Sequence, residues 1–167
     1  MSDPTTLADL FELAIQAERN AEALYDRFAQ LFAAHPKVAD FWHQYARQEA
    51  AHADWLTQLV ESLDADQLDA PADPTILNNA QRLLSFSLDK VLETVHTLDD
   101  AYQLATEMEN GETNAIFQFL TEHVAPSEQL RAFLRGQLRD HLSKLMVDFP
   151  LEFQSAARRQ QVSIQAG

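Results

Sequence analysis

The sequence predicts an all-α protein, a four-helix bundle in which a long crossover joins the second and third helices. Only three glycines occur among 167 residues, while Ala, Leu, Gln and Glu are abundant, which is the composition of a helical protein. Apolar residues recur at helical spacing along four stretches. One long polar, proline-punctuated segment divides these stretches into two pairs, which is the connectivity of two helical hairpins joined by a crossover.

Helix 1 is predicted from Asp3 and Pro4, an N-cap followed by proline at the first helical position, to about Ala34. Alanines and aromatic residues form its inward stripe: Ala14, Ala17, Ala21, Tyr25 and Phe28. Glu18 falls within this stripe rather than opposite it. The small alanines beside Glu18 would leave space between the helices at that level.

Helix 2 is predicted from Pro36 to Leu63. Its apolar ladder is interrupted in the middle by Glu49 and His52. Residues three apart share one helix face, so both polar side chains should point towards the core. Because buried charges are costly unless they are paired or bound to metal, this pair requires a specific role.

The crossover is predicted to begin with the acidic segment 64–74 and to contain a shorter helix. This helix runs from about Ile76 to Val95, with a break near residues 85–87. Thr97 and Asp100 then resemble a capping box and mark the start of helix 3.

Helices 3 and 4 repeat the pattern of an apolar stripe with polar residues in its middle. In helix 3 the stripe reads Tyr102, Ala105, Glu109, Glu112, Ile116 and Phe119. Gly111 within it indicates close packing or a local distortion. Helix 4, which Pro126 opens, has the stripe Leu130, Phe133, Leu134, Leu138, His141 and Leu145. We expect the bundle to occupy residues 1–150, and a tail with a possible short helix to occupy residues 151–167.

Composition excludes several classes of function. With 26 acidic and 12 basic residues the net charge is −14, which disfavours nucleic acid and anionic membranes as partners. Cysteine is absent, so the chain cannot form disulfides, thiolate nucleophiles or iron–sulfur centres. Neither a membrane span nor a signal peptide is predicted, and a cytoplasmic location is the expectation.

The inward polar residues lie near the middle of their helices, where bundle helices meet at one level. They comprise four carboxylates and two imidazoles: Glu18, Glu49, His52, Glu109, Glu112 and His141. Two divalent cations would balance the four negative charges, and this mixture of oxygen and nitrogen ligands suits iron, manganese or zinc. A single Glu-x-x-His pair is a weak signal, and the argument depends on its repetition along the chain. For His141 the alternative is a hydrogen-bonded core histidine, and for Glu112 a carboxylate at the helix edge.

These residues resemble a known family. Glu18 with Tyr25 seven residues later, Glu49 and His52, and the segment LATEMENGETNAIF are similar to the rubrerythrin-like branch of the ferritin-like di-iron carboxylate proteins. The resemblance covers residues 8–146. It implies a four-helix bundle, usually dimeric or larger, with a dinuclear metal site in which Glu49 or Glu109 bridges two metal ions. Tyr25 is expected chiefly as a core aromatic, and the alternative is a tyrosine that hydrogen-bonds a ligand carboxylate.

The chain departs from the family pattern in two ways. The family usually has an acid three residues before the histidine of helix 4, and Leu138 stands there, so Glu112 is expected to replace the missing ligand. Rubrerythrins also carry a four-cysteine iron site for electron entry, which a sequence without cysteine cannot provide. An external electron donor is therefore expected if the site is catalytic.

Three functions follow from this reading. The first is an oxidoreductase with two metal ions, expected to be iron, that acts on dioxygen or peroxide as a ferroxidase or peroxidase. The second is a non-catalytic metal-binding or storage module. The third is a structural bundle that has lost its site, for which Leu138 is the main evidence.

Overall fold

The computed structural model describes residues 3–85 and 87–149, and of Glu112 the backbone alone. This part of the chain is all-α, as predicted, and its helices are α1 (Leu7–Leu31), α2 (Pro36–Ser62), α3 (Ala65–Leu68), α4 (Pro74–Leu84), α5 (Leu88–Leu92), α6 (Leu98–Glu109), α7 (Glu112–Val124) and α8 (Glu128–Val147). Helices α1 and α2 form the most extensive helix pair. The predicted terminal helix lies outside the described residues.

Helix α1 begins at Leu7, three residues later than Pro4. Thr6 is its N-cap and forms a capping box with Asp9, in which each side chain accepts a hydrogen bond from the other residue's backbone N–H. The segment before it pairs with the crossover instead, since Leu7 N–H donates to Ala70 O and Ala72 N–H donates to Thr5 O, both at 2.9 Å. The backbone before Thr6 is therefore extended, and the cap at Asp3 predicted from sequence is wrong.

The crossover matches the prediction of a broken helix. Asp73 caps α4 by accepting hydrogen bonds from Thr75 and Ile76, and α4 ends at Leu84. Ser85 is the C-cap of α4 and Ser87 is the N-cap of the short α5, so the two helices are separate. Helix α4 packs on α1 and α7, so the crossover closes one side of the bundle.

The core consists of two apolar clusters separated by a polar layer. The first cluster is mainly aromatic and is built from one half of each long helix, with Tyr25, Trp42 and Tyr45 fully buried. The second is mainly aliphatic and draws on the opposite halves, including Leu10, Leu56 and Leu120 in its buried centre. Along α1, α2 and α8 the buried polar residues fall between the two clusters. The interruptions in the apolar stripes therefore lie at one level of the bundle.

The predicted third helix is two helices, α6 and α7, with a break at Asn110 and Gly111. Asn110 is the C-cap of α6, and Gly111 has extended backbone and is the N-cap of α7. The break rotates the buried face of the second half. In α7 the buried residues are Asn114, Ile116, Phe117, Leu120 and Thr121, while Phe119 is only partly buried.

The predicted stripe of the last helix also needs one correction. Phe133 is 50% exposed, and its ring packs edge-on against Trp55 at 5.7 Å, whereas Leu134 is buried as expected. Ser127 caps the helix by accepting a hydrogen bond from Leu130, so α8 begins just after Pro126. Within the described ranges, no helix is long and apolar enough to cross a lipid bilayer.

Alanine substitution should change the stability in opposite directions at Gly111, which lies at the break between α6 and α7, and at Gly136, which lies within α8. A Cβ at Gly111 would lie 3.1 Å from the carbonyl oxygens of both Glu107 and Met108, whereas nothing lies within 4 Å of a Cβ at Gly136 in α8. Alanine is also a poor N-cap. In chemical denaturation of the metal-free protein, Gly111→Ala should lower the free energy of unfolding by about 1 kcal/mol or more. Gly136→Ala should raise it by about 0.5–1 kcal/mol.

Equal stability of the two variants would contradict this account of the break.

Candidate metal centre

The structure brings five of the six predicted ligand residues into one buried cluster. Glu18, Glu49, His52 and His141 are each 1% exposed, and Glu109 is 6% exposed. They come from α1, α2, α6 and α8. The sixth residue, Glu112, is the first residue of α7, and its side chain lies outside the described part of the structure. Its proposed role as a substitute ligand therefore stays a prediction.

Glu49 is the centre of the cluster. Its Oε2 lies 3.1 Å from His52 Nδ1, and its Oε1 lies 3.0 Å from His141 Nε2. One carboxylate therefore contacts both imidazoles through different oxygens. The three residues present one ligand atom each within 4.8 Å of one another, a separation compatible with a bound metal ion.

Glu18 lies on the His52 side of Glu49. Its Oε2 is 3.6 Å from His52 Nδ1, beyond hydrogen-bonding distance, and this buried oxygen has no hydrogen-bond partner. Burial raises the pKa of Glu18 well above its usual range, and the nearby negative charge of Glu49 raises it further. An unpaired buried carboxylate oxygen is costly unless a proton or a cation compensates for it.

Glu109 lies on the His141 side, and both of its oxygens are engaged. Oε1 accepts a hydrogen bond from the Tyr25 hydroxyl, so Tyr25 contacts one of the predicted ligand residues. Oε2 accepts from Asn114 Nδ2 at 2.7 Å and lies 2.9 Å from His141 Nε2. Burial and the charge of Glu49 raise the pKa of Glu109, although its contacts with His141 and Tyr25 oppose that rise.

His141 is oriented from outside the cluster. Its Nδ1 donates to Gln48 Oε1 at 2.6 Å, and its ring stacks on Tyr45 at 4.2 Å. The Tyr45 hydroxyl also donates to the His141 backbone carbonyl at 3.1 Å. Because Nδ1 is committed to Gln48, Nε2 is the nitrogen directed at the two carboxylates.

The imidazoles hold protons in the metal-free cluster. Burial by itself lowers the pKa of His52, but the carboxylates of Glu18 and Glu49 outweigh it and raise the pKa to about 9. Burial is likewise outweighed at His141, where Glu49 and Glu109 raise the pKa to about 10. For Glu49, both histidines together overcome the effect of burial and hold its pKa well below the usual range. At neutral pH the cluster is thus an ionised carboxylate between two imidazolium groups.

Sequence reasoning missed three residues that contact this cluster. None of Tyr45, Gln48 and Asn114 is identified from the sequence as a candidate site residue, and Tyr45 fits the apolar stripe of helix 2. Gln48 precedes Glu49, so its contact with α8 cannot be read from helical periodicity. Asn114 is five residues after Glu109, which on an unbroken helix is about 140° away from the same face. Asn114 lies on the same face as Glu109 only because the helix breaks at Gly111. That glycine was the signal in the sequence from which the contact could have been predicted.

Leu138 occupies the position where the resemblance led us to expect an acid. It is 7% exposed and belongs to the aliphatic cluster, and with Glu109 it lines a cavity of about 390 Å³ between α8 and the α6–α7 pair. The Leu138 side chain therefore gives this side of the cluster an apolar wall instead of a ligand.

A second cavity connects the cluster with the protein surface. It has a volume of about 240 Å³ and lies between α2 and α8, with His52 and His141 among its lining residues. Exposed Arg47 and Asp140 also line it. The two buried imidazoles therefore line a cavity that also has exposed side chains in its wall.

The protonated imidazoles predict the pH dependence of the metal-free protein. A histidine whose pKa is raised by folding stabilises the fold fully below its usual pKa near 6.5, and that stabilisation is lost as pH rises through the folded value. The free energy of unfolding should therefore fall between about pH 6.5 and 10, and one pKa unit corresponds to about 1.4 kcal/mol, so the fall should reach several kcal/mol. Denaturant titrations across this range measure it.

Two variants serve as controls for this measurement. His141→Gln should have a shallower decline, whereas His43→Gln, which changes an exposed histidine near Asp26, should decline like the parent. A parent protein whose stability is constant between pH 6.5 and 10 would show that the imidazoles are not protonated in the cluster.

Comparison with known proteins identifies the family to which the chain belongs. No curated protein and no solved structure matches the chain. The family model described as Rubrerythrin matches residues 9–129, which include α1, α2, the crossover, α6 and α7. That match extends over well over half of the sequence and includes four of the five clustered residues. The chain therefore belongs to the rubrerythrin family.

Proposed function

We propose that this protein binds two metal ions, with iron as the native metal, and uses them in oxidoreductase chemistry on dioxygen or peroxide. The observation that carries this proposal is the division of the cluster by Glu49. On one side are Glu18 and His52, and on the other are Glu109 and His141. Each half has a carboxylate, an imidazole and one oxygen of Glu49, so Glu49 would be a ligand to both ions and Glu109 would be a ligand to one.

The donor set fits a pair of divalent cations. Three carboxylates are buried together, Oε2 of Glu18 has no hydrogen-bond partner, and divalent cations among these groups would offset their mutual repulsion. Cations would replace the protons that the two imidazoles hold in the metal-free form, because a histidine binds metal through a deprotonated nitrogen. Membership of the rubrerythrin family, whose members typically bind two iron ions, supports the same assignment.

The ligand types narrow the choice of metal. Carboxylate oxygens with imidazole nitrogens suit iron, manganese and zinc. The relative affinities of such a site for these three metals do not by themselves select iron. Zinc has no accessible redox change, whereas iron and manganese have one. Oxidoreductase function therefore requires iron or manganese, and a zinc-loaded protein should be inactive.

The protein's own residues would provide a fixed and largely dry environment. The aromatic and aliphatic clusters exclude water from above and below the polar layer. Tyr25 and Asn114 hold the Glu109 carboxylate, and Gln48 orients His141. The cavity between α2 and α8 is the proposed route for a small oxidant. When bound, the two metal ions would supply the electrons that reduce it.

Those electrons must be replaced for repeated turnover. The sequence has no cysteine, so it offers no thiolate iron site of the rubredoxin type. We propose an external electron donor for this reason. Ferroxidase activity would not need such a donor, because ferrous ions themselves supply the electrons.

One observation favours a second function, a metal-holding module without catalysis. Leu138 gives the His141 side an apolar wall, which reduces the number of ligands available there. A site with too few ligands would hold metal without sustaining turnover. Metal content and the rate of Fe(II) oxidation distinguish the two functions.

The experiment combines both measurements on metal-free protein reloaded with Fe(II) without oxygen. We expect about two irons per chain, a higher Tm, and Fe(II) oxidation by dioxygen or peroxide that is faster than without protein. Glu49→Gln should abolish all three effects, because it removes the ligand shared by both halves. Glu22→Gln, which changes the partly exposed partner of Arg19 on α1, is the matched control and should behave like the parent.

Two irons per chain without faster oxidation would favour the metal-holding module. Absence of bound iron, manganese and zinc would refute both functions.

A further inference from the structure

We infer that the two metal positions differ in affinity, and that Asn114 is a positioning residue that makes the Glu109–His141 position the tighter one. This inference rests on the proposed dinuclear site. It goes beyond that site because it assigns an order of loading and gives a role to a residue outside the ligand set. The evidence is the unequal distribution of contacts around the two halves of the cluster.

The Glu109–His141 half is held in place by groups that are not ligands. Tyr25 donates to Glu109 Oε1, and Asn114 donates to Oε2 at 2.7 Å. Gln48 accepts from His141 Nδ1 at 2.6 Å. Both side chains are therefore fixed in their orientations before any metal arrives. Each carboxylate oxygen can accept more than one partner, so these hydrogen bonds can persist beside a metal ion.

The Glu18–His52 half has no such support within the described residues. Glu18 Oε2 has no hydrogen-bond partner. The polar contacts of His52 are to Glu49 at 3.1 Å and Glu18 at 3.6 Å, both members of the cluster. Its other neighbours include the rings of Phe117 and Trp55, which provide packing but accept no proton from Nε2.

Asn114 is fixed by the helix break rather than by helical periodicity. Its Nδ2 donates to the Glu109 side chain at 2.7 Å and also to the Glu109 backbone carbonyl at 2.8 Å. That carbonyl is at the end of α6, where the next helical turn is missing. One buried amide therefore closes the end of α6 and orients the carboxylate of its last residue.

Loss of a hydrogen bond that orients a metal ligand typically costs about 10–100-fold in metal affinity. Three such contacts lie on the Glu109–His141 half of the cluster, and none lies on the other half among the side chains that the structure describes. The first metal ion should therefore bind at the Glu109–His141 position. The second should bind more weakly at the Glu18–His52 position, so chemistry that needs both ions would occur only when metal is abundant.

The test is a titration of metal-free protein with Co(II), followed by calorimetry and by the visible absorption of the bound ion. The parent should bind one ion tightly and a second more weakly. Glu18→Gln should lose the weak step and keep the tight one. Asn114→Ala should weaken the tight step by about 10–100-fold.

Thr121→Val is the matched control for Asn114→Ala. Thr121 is also a buried polar residue of α7, but its hydroxyl donates to the backbone carbonyl of Gln118 and not to a residue of the cluster. This variant should keep both steps with the affinities and absorption bands of the parent. A general loss of stability from substitution in α7 would instead affect both variants alike.

Several results would overturn the inference. They are two steps of equal affinity in the parent, an unchanged tight step in Asn114→Ala, and loss of the tight step in Glu18→Gln or His52→Ala. These results would leave the proposed metal centre intact. A parent that binds no Co(II), Fe(II), Mn(II) or Zn(II) would instead refute the centre itself.

Discussion

The contact of one buried carboxylate, Glu49, with two imidazoles is the interaction on which the rest of this structure depends. Burial of a charge is unfavourable unless partners compensate for it, and His52 and His141 provide that compensation from α2 and α8. Glu18 and Glu109 add two further carboxylates at the same level. The polar layer is therefore tolerable only with protons or metal ions among these residues.

The apolar clusters and the helix break both follow from the position of this layer. The core cannot be continuous, because polar side chains take up the middle of each long helix. Each apolar cluster is instead packed from its own set of residues. Helix α6 also ends at Glu109. The side-chain amide of Asn114 donates hydrogen bonds both to the backbone carbonyl of Glu109, at the end of that helix, and to its carboxylate. A locally unfavourable break thus contributes to the organisation of the site.

Much of the fold and of the cluster could be predicted from sequence because both depend on helical periodicity. Glu18, Glu49, His52, Glu109 and His141 each interrupt an apolar stripe, and mid-helix positions meet at one level in a bundle. Their close approach is observed, although their roles as metal ligands remain predictions. The start of α1 was predicted wrongly because the capping box of Thr6 and Asp9 and the pairing with residues 70–72 compete with the cap at Asp3.

Other features depend on contacts that periodicity does not encode. Asn114 reaches Glu109 only because the break changes the phase of α7. A continuous helix put Phe119 in the buried stripe, whereas Phe119 is only partly buried against the aliphatic cluster, and it left Asn114 unnoticed. Gln48 contacts a histidine 93 residues away. The proposal of Glu49, and not Glu109, as the bridging ligand likewise depends on the orientation of individual carboxylate oxygens. The sequence could name both candidates but could not distinguish them.

The central proposal is that Glu49 lies between two metal positions and is a ligand to both. The most direct measurement is anomalous X-ray diffraction from crystals loaded with Fe(II) or Mn(II) without oxygen. The account predicts two peaks about 3.5–4 Å apart, one between Glu49 and the Glu18–His52 pair and the other between Glu49 and the Glu109–His141 pair. A fully loaded crystal with a single peak among Glu49, His52 and His141, or with metal only at the protein surface, would contradict it.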